Sequence, residues 1–356
     1  MAARGIIHFD LDAFFCSVEV LQNPAWRKKP LVVGGASNKR GVVASASYPA
    51  RKYGIHSAMP MAQAQRLCPH LVIVPPHFKR YRAYSRIVIG ILEKAADAFQ
   101  QVSIDEAYLD VTGQLTHWEE IIEIGKALQT KIAQHVGLPA SLGLASNKLV
   151  AKIASASAKP AGFTVVTPGT ERTFLAPLPI GKIPGIGPRT AARLNAFGIQ
   201  TIQQLQTCSL DILKPFGRWG ALMIQWARGE DTRPVRQERS RKSLSQERTF
   251  PTDVTDREEL LKCLTDLSEK VAARLQQKEL FAHTVFIKVR YSDFTTFTRQ
   301  RRLLRPTNSI GMINKIAREL LLQVWDGRRP LRLLGVGGRK FDSGGNQLSF
   351  SFSNKE

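Results

Sequence analysis

Residues 6–15 read IIHFDLDAFF, and residues 103–110 read SIDEAYLD. In the first stretch apolar residues run as a short β-strand into Asp10 and Asp12, and the two-residue period of a strand places both carboxylates on one face. The second stretch is also strand-like and holds Asp105 beside Glu106. If the strands are neighbours, the acids lie within a few ångströms, where divalent cations must offset their repulsion. The pattern predicts a two-metal phosphoryl-transfer site.

An alternative interpretation exists for each cluster, because acids at strand ends are commonly solvated turn residues. The pairing of the two clusters, both inside apolar strands, favours a functional site, as do the adjacent rings of Phe14 and Phe15.

Composition indicates a polyanionic partner. The 356-residue chain is long enough for two to four domains, and its formal net charge is +22 with a pI near 10.2. Basic residues that contact phosphates release counterions, so nucleic acid is the simplest partner. The hydrophobic content of 43% argues against a disordered basic tail.

The four cysteines are isolated, without CxxC or Cys/His clusters, which disfavours structural zinc and a disulfide framework and fits a reducing cytoplasm. The sequence has no secretory signal and no run of membrane-spanning length. We expect a cytoplasmic protein without a membrane partner.

Strands and helices are predicted to alternate around one α/β sheet over residues 1–166, interrupted by a small insert. A long amphipathic helix is predicted over residues 80–99. Residues 180–199, IGKIPGIGPRTAARLNAFGI, predict a tight glycine turn between two helical segments, where backbone N–H groups and a helix N-terminus can meet a phosphate. An ordinary αα-hairpin with a glycine turn is the alternative.

Residues 230–242 are polar and basic and are predicted to form a linker. The following pattern predicts a βαββαβ sandwich. Residues 233–341 contain 24 Lys or Arg and 12 Asp or Glu, so more than half of the excess positive charge lies there. Arg299, Arg301 and Arg305 alternate along one strand and are predicted to follow a DNA duplex.

DLDAFF with SIDEAYLD resembles the two catalytic motifs of Y-family DNA polymerases of the DinB, or DNA polymerase IV, class. The resemblance extends through YPARKYGI, SAMP, NKLVAKIAS, AKP, the hairpin motif, SLSQERTF and the tail. It implies an α+β multidomain, right-hand-like fold. The implied parts are a ferredoxin-like palm (1–18 and 77–166), fingers (19–76), a helical thumb with a helix-hairpin-helix motif (167–232), a linker (233–242), a βαββαβ little finger (243–341) and a tail (342–356).

The resemblance also implies roles for individual residues. Asp10, Asp105 and Glu106 would be catalytic and, with the Leu11 carbonyl, would hold two Mg²⁺ ions; Asp12 is left out of this set. Phe15 would be the steric gate against ribonucleotides, although it could simply be a core residue. Small residues near the nascent base pair, together with Ala58, would leave space for a mismatched pair and so lower the fidelity of synthesis. The other implied nucleotide-binding residues are Tyr48, Arg51, Lys159, Phe14, Ala44 and Ser45, and the implied DNA-binding residues of the hairpin are Lys182, Gly185, Gly187 and Arg189.

The tail reads NQLSFSF over residues 346–352, and its Gln347, Leu348, Phe350 and Phe352 resemble the peptide with which bacterial polymerases bind the sliding clamp. Phe350 stands where an aliphatic residue is common, and a plain tail is the alternative.

The sequence therefore predicts a monomeric, low-fidelity DNA polymerase that extends primer-template DNA with dNTPs past damaged bases and has no proofreading site. The alternatives are another palm-type two-metal enzyme, such as a nucleotide cyclase, and a non-catalytic DNA-binding accessory protein.

Overall fold

The computed structural model describes residues 3–36, 40–236 and 241–343, and the chain forms two units, residues 1–238 and 239–356. The helices and strands of the first unit are β1 (Ile6–Leu11), α1 (Phe14–Gln22), β2 (Leu31–Gly34), β3 (Val43–Ala46), α2 (Tyr48–Arg51), α3 (Met61–Leu67), β4 (Val72–Val74), α4 (Phe78–Glu93), β5 (Ala98–Gln101), β6 (Glu106–Asp110), α5 (Ile121–Val136), β7 (Ala140–Ala145), α6 (Lys148–Ser157), β8 (Phe163–Val165), α7 (Glu171–Leu175), α8 (Pro188–Ala196), α9 (Ile202–Gln206) and α10 (Arg218–Ala227). Those of the second unit are β9 (Ser243–Val254), α11 (Arg257–Gln277), β10 (Leu280–Tyr291), β11 (Thr296–Thr307), α12 (Ile310–Leu322) and β12 (Leu331–Ser343).

Strand β1 lies at the centre of a five-stranded sheet of order β5-β6-β1-β7-β8. It is antiparallel to both neighbours, β6 and β7. Ile6, Ile7 and Phe9 are at most 1% exposed, because α5 and α6 both pack on this sheet and the strand is buried on its two faces. Complete burial and hydrogen bonding along both edges fix the register of the strand that carries the first acidic motif.

The insert forms a second, three-stranded sheet of order β3-β2-β4. Val32, Val43 and Met61 belong to a separate buried cluster beneath it. The insert therefore has a hydrophobic core of its own, as the predicted interruption of the larger sheet requires.

The predicted helix over residues 80–99 is too long. Helix α4 ends at Glu93, and residues 98–101 form β5, which pairs with β6. The backbone groups of an extended segment beside β6 are satisfied by this pairing, and Phe99 is buried there. Tertiary pairing thus overrides the apolar helical period at this point.

The buried carboxylate of Asp231 connects the end of the helical segment that follows β8 to α6. The Asp231 side chain is 1% exposed and accepts a hydrogen bond from the Leu149 backbone N–H at 3.1 Å. Arg233 donates to both of its oxygens, at 2.7 and 2.9 Å. Asn147, the N-cap of α6, donates to the Gly229 carbonyl at 2.8 Å. Burial opposes the charged form, but these hydrogen bonds outweigh it and lower the pKa of Asp231.

In the second unit, β11-β10-β12-β9 form an antiparallel sheet, and α11 and α12 pack against one face of it. The observed order confirms the predicted βαββαβ arrangement. None of the helices within residues 3–36, 40–236 and 241–343 is long and apolar enough to cross a membrane. The predicted clamp-binding residues fall in 344–356, outside the described residues.

Replacing Asp231 with Asn should lower the free energy of unfolding by about 1–3 kcal/mol at pH 7, because the buried donors lose a charged acceptor. The folded-state pKa is lowered, so the stabilisation is present above the unfolded pKa of about 4 and disappears as pH falls through the folded value. Urea unfolding of both proteins at pH 7 and pH 3 measures this. Asp211→Asn, which breaks an exposed pair with Lys214, is the control and should change stability by less than about 1 kcal/mol. An equal loss at both pH values would contradict the prediction.

Candidate active site

The acidic residues of the two motifs meet on adjacent strands. Asp10 of β1 lies opposite Glu106 of β6 in the antiparallel register. The Leu11 backbone N–H donates to the carbonyl of Asp105 at 2.9 Å. The two motifs are therefore neighbours in space, as the sequence predicts, with Asp105 immediately before β6 rather than inside it.

Basic side chains accompany these carboxylates. Lys159 Nζ contacts Asp10 Oδ1 and lies 3.6 Å from Asp12 Oδ1. Lys152 Nζ contacts Glu106 Oε1, and His8 Nε2 lies 2.6 Å from the same oxygen. Lysines that follow the acids on α6 and the loop after it thus offset part of the negative charge.

Burial and charge shift the pKa values of these groups in different directions. Burial raises the pKa of Asp10 to about 6, against the lowering effect of Lys159. Burial alone would also raise the pKa of Glu106, but His8 and Lys152 outweigh it and lower that pKa to about 2. Burial lowers the pKa of His8 to about 4. At neutral pH both carboxyls are ionised and the imidazole is neutral.

The oxygen donors suit a hard divalent cation. Carboxylate and carbonyl oxygens are the ligands that Mg²⁺ prefers; Asp10, Leu11 and Asp105 line one cavity, and the ammonium of Lys159 is already held there. Within the described parts of the chain, no three His, Cys, Asp or Glu side chains surround one point as metal ligands. The Glu106 side chain is instead held by His8 and Lys152. Asp10 and Asp105 are therefore well placed to bind a divalent metal. Glu106 could join them only after releasing His8 and Lys152.

The cavity beside the acids has a volume of about 230 Å³. It lies where the five-stranded sheet faces the insert, so residues of both line it. Nearly all of the predicted nucleotide-binding residues are brought together here, with Ser57 in addition. The lining residues are Asp10, Leu11, Ala13, Phe14, Phe15, Ala44, Ser45, Arg51, Ser57, Asp105 and Lys159.

The ring of Phe15 is held by a second aromatic residue. It stacks on Tyr81 with a centroid distance of 4.3 Å and an interplanar angle of 13°. Tyr81 is completely buried, and its hydroxyl donates to the buried carboxylate of Glu19 at 2.7 Å. Both Phe14 and Phe15 line the cavity, but Phe15 is only partly buried, whereas Phe14 belongs to the core. The two adjacent rings therefore differ in environment.

Tyr48 and Arg51 of α2 interact with each other as the three-residue spacing predicts. The Arg51 guanidinium lies 4.6 Å from the centroid of the Tyr48 ring, and its Nε donates to the carbonyl of Ala46 at 3.0 Å. The Tyr48 hydroxyl donates to Asp12 Oδ1 at 2.9 Å. Burial raises the pKa of Tyr48 far above neutrality, so this hydroxyl keeps its proton.

Small residues form the insert side of the cavity. Ala44 is exposed and Ser45 is buried on β3. The Ser57 hydroxyl donates to the Ala44 carbonyl at 3.2 Å, and Ala58 follows with a left-handed φ of 70°. Apart from Arg51, the insert residues that line the cavity, Ala44, Ser45 and Ser57, have small side chains.

The predicted hairpin turn is present between a 3-10 turn at residues 180–182 and α8. Gly185 has φ of 96°, and a Cβ there would lie 3.2 Å from the Trp219 ring, so both conformation and space require glycine. Gly187 is the N-cap of α8, and nothing lies within 4 Å of where its Cβ would be. Lys182 and Arg189 are exposed on either side of the turn.

The arginines predicted on β11 do not share an open face. Arg301 contacts Glu319 of α12, and Phe297 and Leu303 on the same alternation pack against the core. Arg299 lies 5.4 Å from the Phe297 ring, and Arg305 is exposed beyond an irregularity in the register. The expected open face is therefore not observed, because two helices cover that side of the sheet; DNA contact by these arginines stays a prediction.

Sequence analysis missed basic residues on the opposite face of this sheet. Arg302 and Arg339 both lie beside Thr284 in the register. The Arg339 guanidinium lies 4.2 Å from the Phe286 ring. Strand alternation alone could have identified Arg302 as facing away from Arg301.

Residues around the acids were also missed. His8 has the same alternation as Asp10 and Asp12, which was a usable signal. No sequence pattern marked Lys152 or Ser141, because only the packing of α6 and β7 against β1 brings them to the site.

Comparison with known proteins gives consistent matches along the chain. The impB/mucB/samB family model matches residues 9–156, its C-terminal domain matches residues 241–350, and the IMS family HHH motif matches residues 168–199. DNA polymerase IV of Halorhodospira halophila is 44% identical over 337 residues, which cover 94% of this chain and 95% of the relative. DNA polymerase IV of Listeria monocytogenes is 40% identical and covers 94% of each chain.

Solved structures with the same fold are Y-family DNA polymerases. A chimera of Dbh and Dpo4 has a TM-score of 0.87 and 31% identity, covering 94% of this chain and 98% of its own. An insertion ternary complex of Dbh DNA polymerase has a TM-score of 0.68 and 30% identity with the same coverage.

Replacing Lys159 with Met should raise the pKa of Asp10 above its present value of about 6, because Lys159 lowers it in the folded chain. Titration of the Asp10 ¹³C-carboxyl resonance in metal-free protein measures the change. Lys152→Met is the matched control, since Lys152 contacts Glu106 and not Asp10. An unchanged Asp10 titration in Lys159→Met would show that the ammonium does not hold this carboxylate in solution.

Proposed function

This chain belongs to the Y family of DNA polymerases, in the DNA polymerase IV or DinB class, and from that premise we propose how its residues carry out template-directed synthesis. The reaction is the addition of a deoxynucleotide to a primer 3′-hydroxyl. The single observation that carries the assignment of the site is the register that places Asp10 beside Glu106 and Asp105, at a cavity which the insert closes from the other side.

Asp10, Asp105 and the Leu11 carbonyl would hold divalent metal, for which Mg²⁺ is the proposed ion, and Glu106 completes the set after leaving Lys152. Two such ions, when bound, lower the pKa of the primer hydroxyl and neutralise charge on the leaving pyrophosphate. Pairing of β1 with β6 sets the backbone positions of these acids, so the proposed rearrangement is confined to side chains: Glu106 leaves Lys152, and Lys159 leaves Asp10.

Lys159, Arg51 and Tyr48 are proposed to bind the triphosphate. Lys159 and Arg51 line the cavity and supply positive charge. The Tyr48 hydroxyl keeps its one proton and donates it to Asp12, and Tyr48 does not itself line the cavity, so its proposed part is to hold Arg51 over its ring. Together they orient the triphosphate beside the acids without a glycine-rich phosphate loop.

Phe15 is proposed to exclude ribonucleotides. The stacked ring of Tyr81 prevents Phe15 from retreating, so a 2′-hydroxyl would have to overlap the Phe15 ring. Ala44 and Ser45 are proposed to lie over the nascent base pair. Small side chains there leave room for a mispaired or damaged base, which fits translesion synthesis and low fidelity.

DNA is proposed to contact two basic surfaces, one in each unit. Lys182, Gly185, Gly187 and Arg189 present backbone N–H groups and cations at the hairpin turn. In the second unit, Arg302 and Arg339 lie on the helix-free face of the sheet, and Arg299 and Arg305 remain predicted contacts at its edge. These contacts read the phosphate backbone and are independent of sequence.

The remaining assignments are predictions from the sequence. They are the sliding clamp as partner of residues 347–352, a monomeric state and a cytoplasmic location. The cyclase and accessory-protein alternatives give way to the polymerase, since relatives that match along 94% of the chain are DNA polymerases.

Asp105→Ala should reduce single-nucleotide primer extension at least about 100-fold, because one charge that positions and stabilises the transition state is lost. A labelled primer on a defined template with Mg²⁺ and single dNTPs measures it. Asp110→Asn is the control, since Asp110 lies on β6 at the end paired with Ile6 and contacts Arg4. Extension that survives Asp105→Ala would mean that the metal ligands are misassigned.

Phe15→Ala should lower discrimination against ribonucleotides about 10- to 100-fold, since overpacking of about 1–3 kcal/mol is removed. The ratio of kcat/KM for a dNTP and the matching rNTP measures this. Phe78→Ala is the control, because the Phe78 ring packs edge-on against the Phe15 ring, with 5.9 Å between the ring centroids. Phe78 is not among the residues that line the cavity. Equal losses of discrimination in both variants would indicate general loosening rather than a gate.

A further inference from the structure

Asp12 has no part in the metal set, yet it is the most completely buried acid near the site. Its side chain is 0% exposed, and it does not line the cavity. A buried carboxylate persists only where donors compensate its lost hydration. The identity of those donors indicates what Asp12 does.

Three elements supply the donors. The Tyr48 hydroxyl of α2 donates to Asp12 Oδ1 at 2.9 Å. The Ser141 hydroxyl of β7 lies 3.0 Å from Oδ1 and 2.9 Å from Oδ2. The Ala161 backbone N–H, in the loop after α6, donates to Oδ2 at 2.7 Å. Asp12 thereby joins the insert, the central sheet and the loop that carries Lys159.

We infer that Asp12 is a positioning residue for the triphosphate of the incoming nucleotide, acting through Tyr48 and Lys159. The inference rests on the proposed function, in which Lys159 binds the triphosphate and Tyr48 directs Arg51 towards it. Asp12 would itself touch neither nucleotide nor metal.

The loop contact fixes where Lys159 can reach. Ala161, two residues later, has a left-handed φ of 51°, a conformation that non-glycine residues adopt only when surrounding contacts impose it. Its hydrogen bond to Asp12 is such a contact. The Lys159 ammonium lies 3.6 Å from Asp12 Oδ1 as well as contacting Asp10. If the Asp10 contact is lost, Asp12 still holds the ammonium at the cavity.

The tyrosine contact positions a second cation. The Arg51 guanidinium lies over the Tyr48 ring at 4.6 Å, so the orientation of that ring, set by Asp12, also directs Arg51. One carboxylate therefore governs, directly or through the ring, all three proposed triphosphate-binding residues.

A metal-ligand role for Asp12 is disfavoured by the same contacts. Both oxygens already accept hydrogen bonds from protein donors, and Ser141 in turn accepts from the Gly162 backbone N–H at 3.1 Å. A cation at Asp12 would have to displace the donors that occupy both oxygens.

The test measures nucleotide affinity without turnover. The dissociation constant of the complementary dNTP is determined with Mg²⁺ on a dideoxy-terminated primer-template, by fluorescence of a template base analogue. Wild type is compared with Asp12→Asn, Tyr48→Phe, Lys159→Ala and the double variant of Asp12→Asn with Tyr48→Phe. Asp110→Asn is the matched control, a half-buried carboxylate of the same sheet.

Asp12→Asn should weaken dNTP binding about 10- to 100-fold, the effect of losing a charged hydrogen-bond acceptor. Primer-template affinity and Mn²⁺ affinity should stay at wild-type values. If Asp12 acts through Tyr48, the double variant should bind dNTP no more weakly than the weaker single variant. Asp110→Asn should bind dNTP as wild type does.

Three results would overturn the inference. These are unchanged dNTP affinity in Asp12→Asn, full additivity in the double variant, and a loss of Mn²⁺ affinity as large as that of Asp105→Ala, which would make Asp12 a ligand. If Tyr48→Phe and Lys159→Ala themselves leave dNTP affinity unchanged, the proposed triphosphate site fails instead, so the two failures are distinguishable.

Ser141→Ala decides the matter if Asp12→Asn does not fold. It leaves the charge in place but removes the hydroxyl that touches both carboxylate oxygens. We expect about 3- to 10-fold weaker dNTP binding, consistent with loss of one hydrogen bond. Wild-type affinity in a folded Ser141→Ala protein would overturn the inference.

Discussion

Repulsion between neighbouring carboxylates is the constraint on which the rest of the site depends. The antiparallel pairing of β1 with β6 brings Asp10 and Glu106 together, and such proximity is costly unless cations accompany it. Lys159 and Lys152 accompany one acid each. Both lysines lie on or just after α6, which packs against β1. The position of this helix is therefore an electrostatic requirement of the strands as well as a packing one, and a metal ion bound as proposed would take over the role of the lysine that it displaces.

His8, Asp10 and Asp12 have three different roles: His8 and Asp10 lie on one face of β1, whereas Asp12, predicted on the same strand, lies in the turn directly after it. Residues two apart on a strand are separated by about 7 Å, so His8, Asp10 and Asp12 each reach a different set of partners. His8 meets Glu106 and Ser155, Asp10 borders the cavity, and Asp12 joins the insert to the loop after α6. Because the strand is buried and paired on both edges, and the Asp12 backbone N–H donates to the Pro139 carbonyl just beyond it, these three positions cannot shift independently. One strand and the turn after it therefore set the spacing of the proposed metal and triphosphate sites.

Local patterns in the sequence predicted what depends on local physics. The strand character of residues 6–11, the helix α5, the hairpin turn and the βαββαβ order all follow from periodicity and glycine placement, and the structure has them. Sequence alone could not place the end of α4, because β5 forms only when β6 is beside it. For the same reason the contact between Arg301 and Glu319 of α12 was not predicted, because the fold decides which side of a sheet the helices cover. The partners of Glu106 and Asp12 come from residues 30 to 150 positions away, and no spacing rule indicates such contacts.

The two sides of the cavity differ in how firmly their side chains are held. On one side, hydrogen bonds join Asp12 and Ser141 of the sheet region to Tyr48 of α2, and Phe15 packs on the buried ring of Tyr81, so the parts proposed to meet sugar and phosphate are held by several contacts. On the other side, the lining residues Ala44, Ser45 and Ser57 are small, and the Ser57 hydroxyl donates to the Ala44 carbonyl. A side chain that cannot move raises the free energy of binding a substrate that fits poorly, so the firmly held side of the cavity is the more selective one. An enzyme so arranged discriminates by sugar and triphosphate while tolerating variation in the base, and tolerance of the base is what copying a damaged template demands.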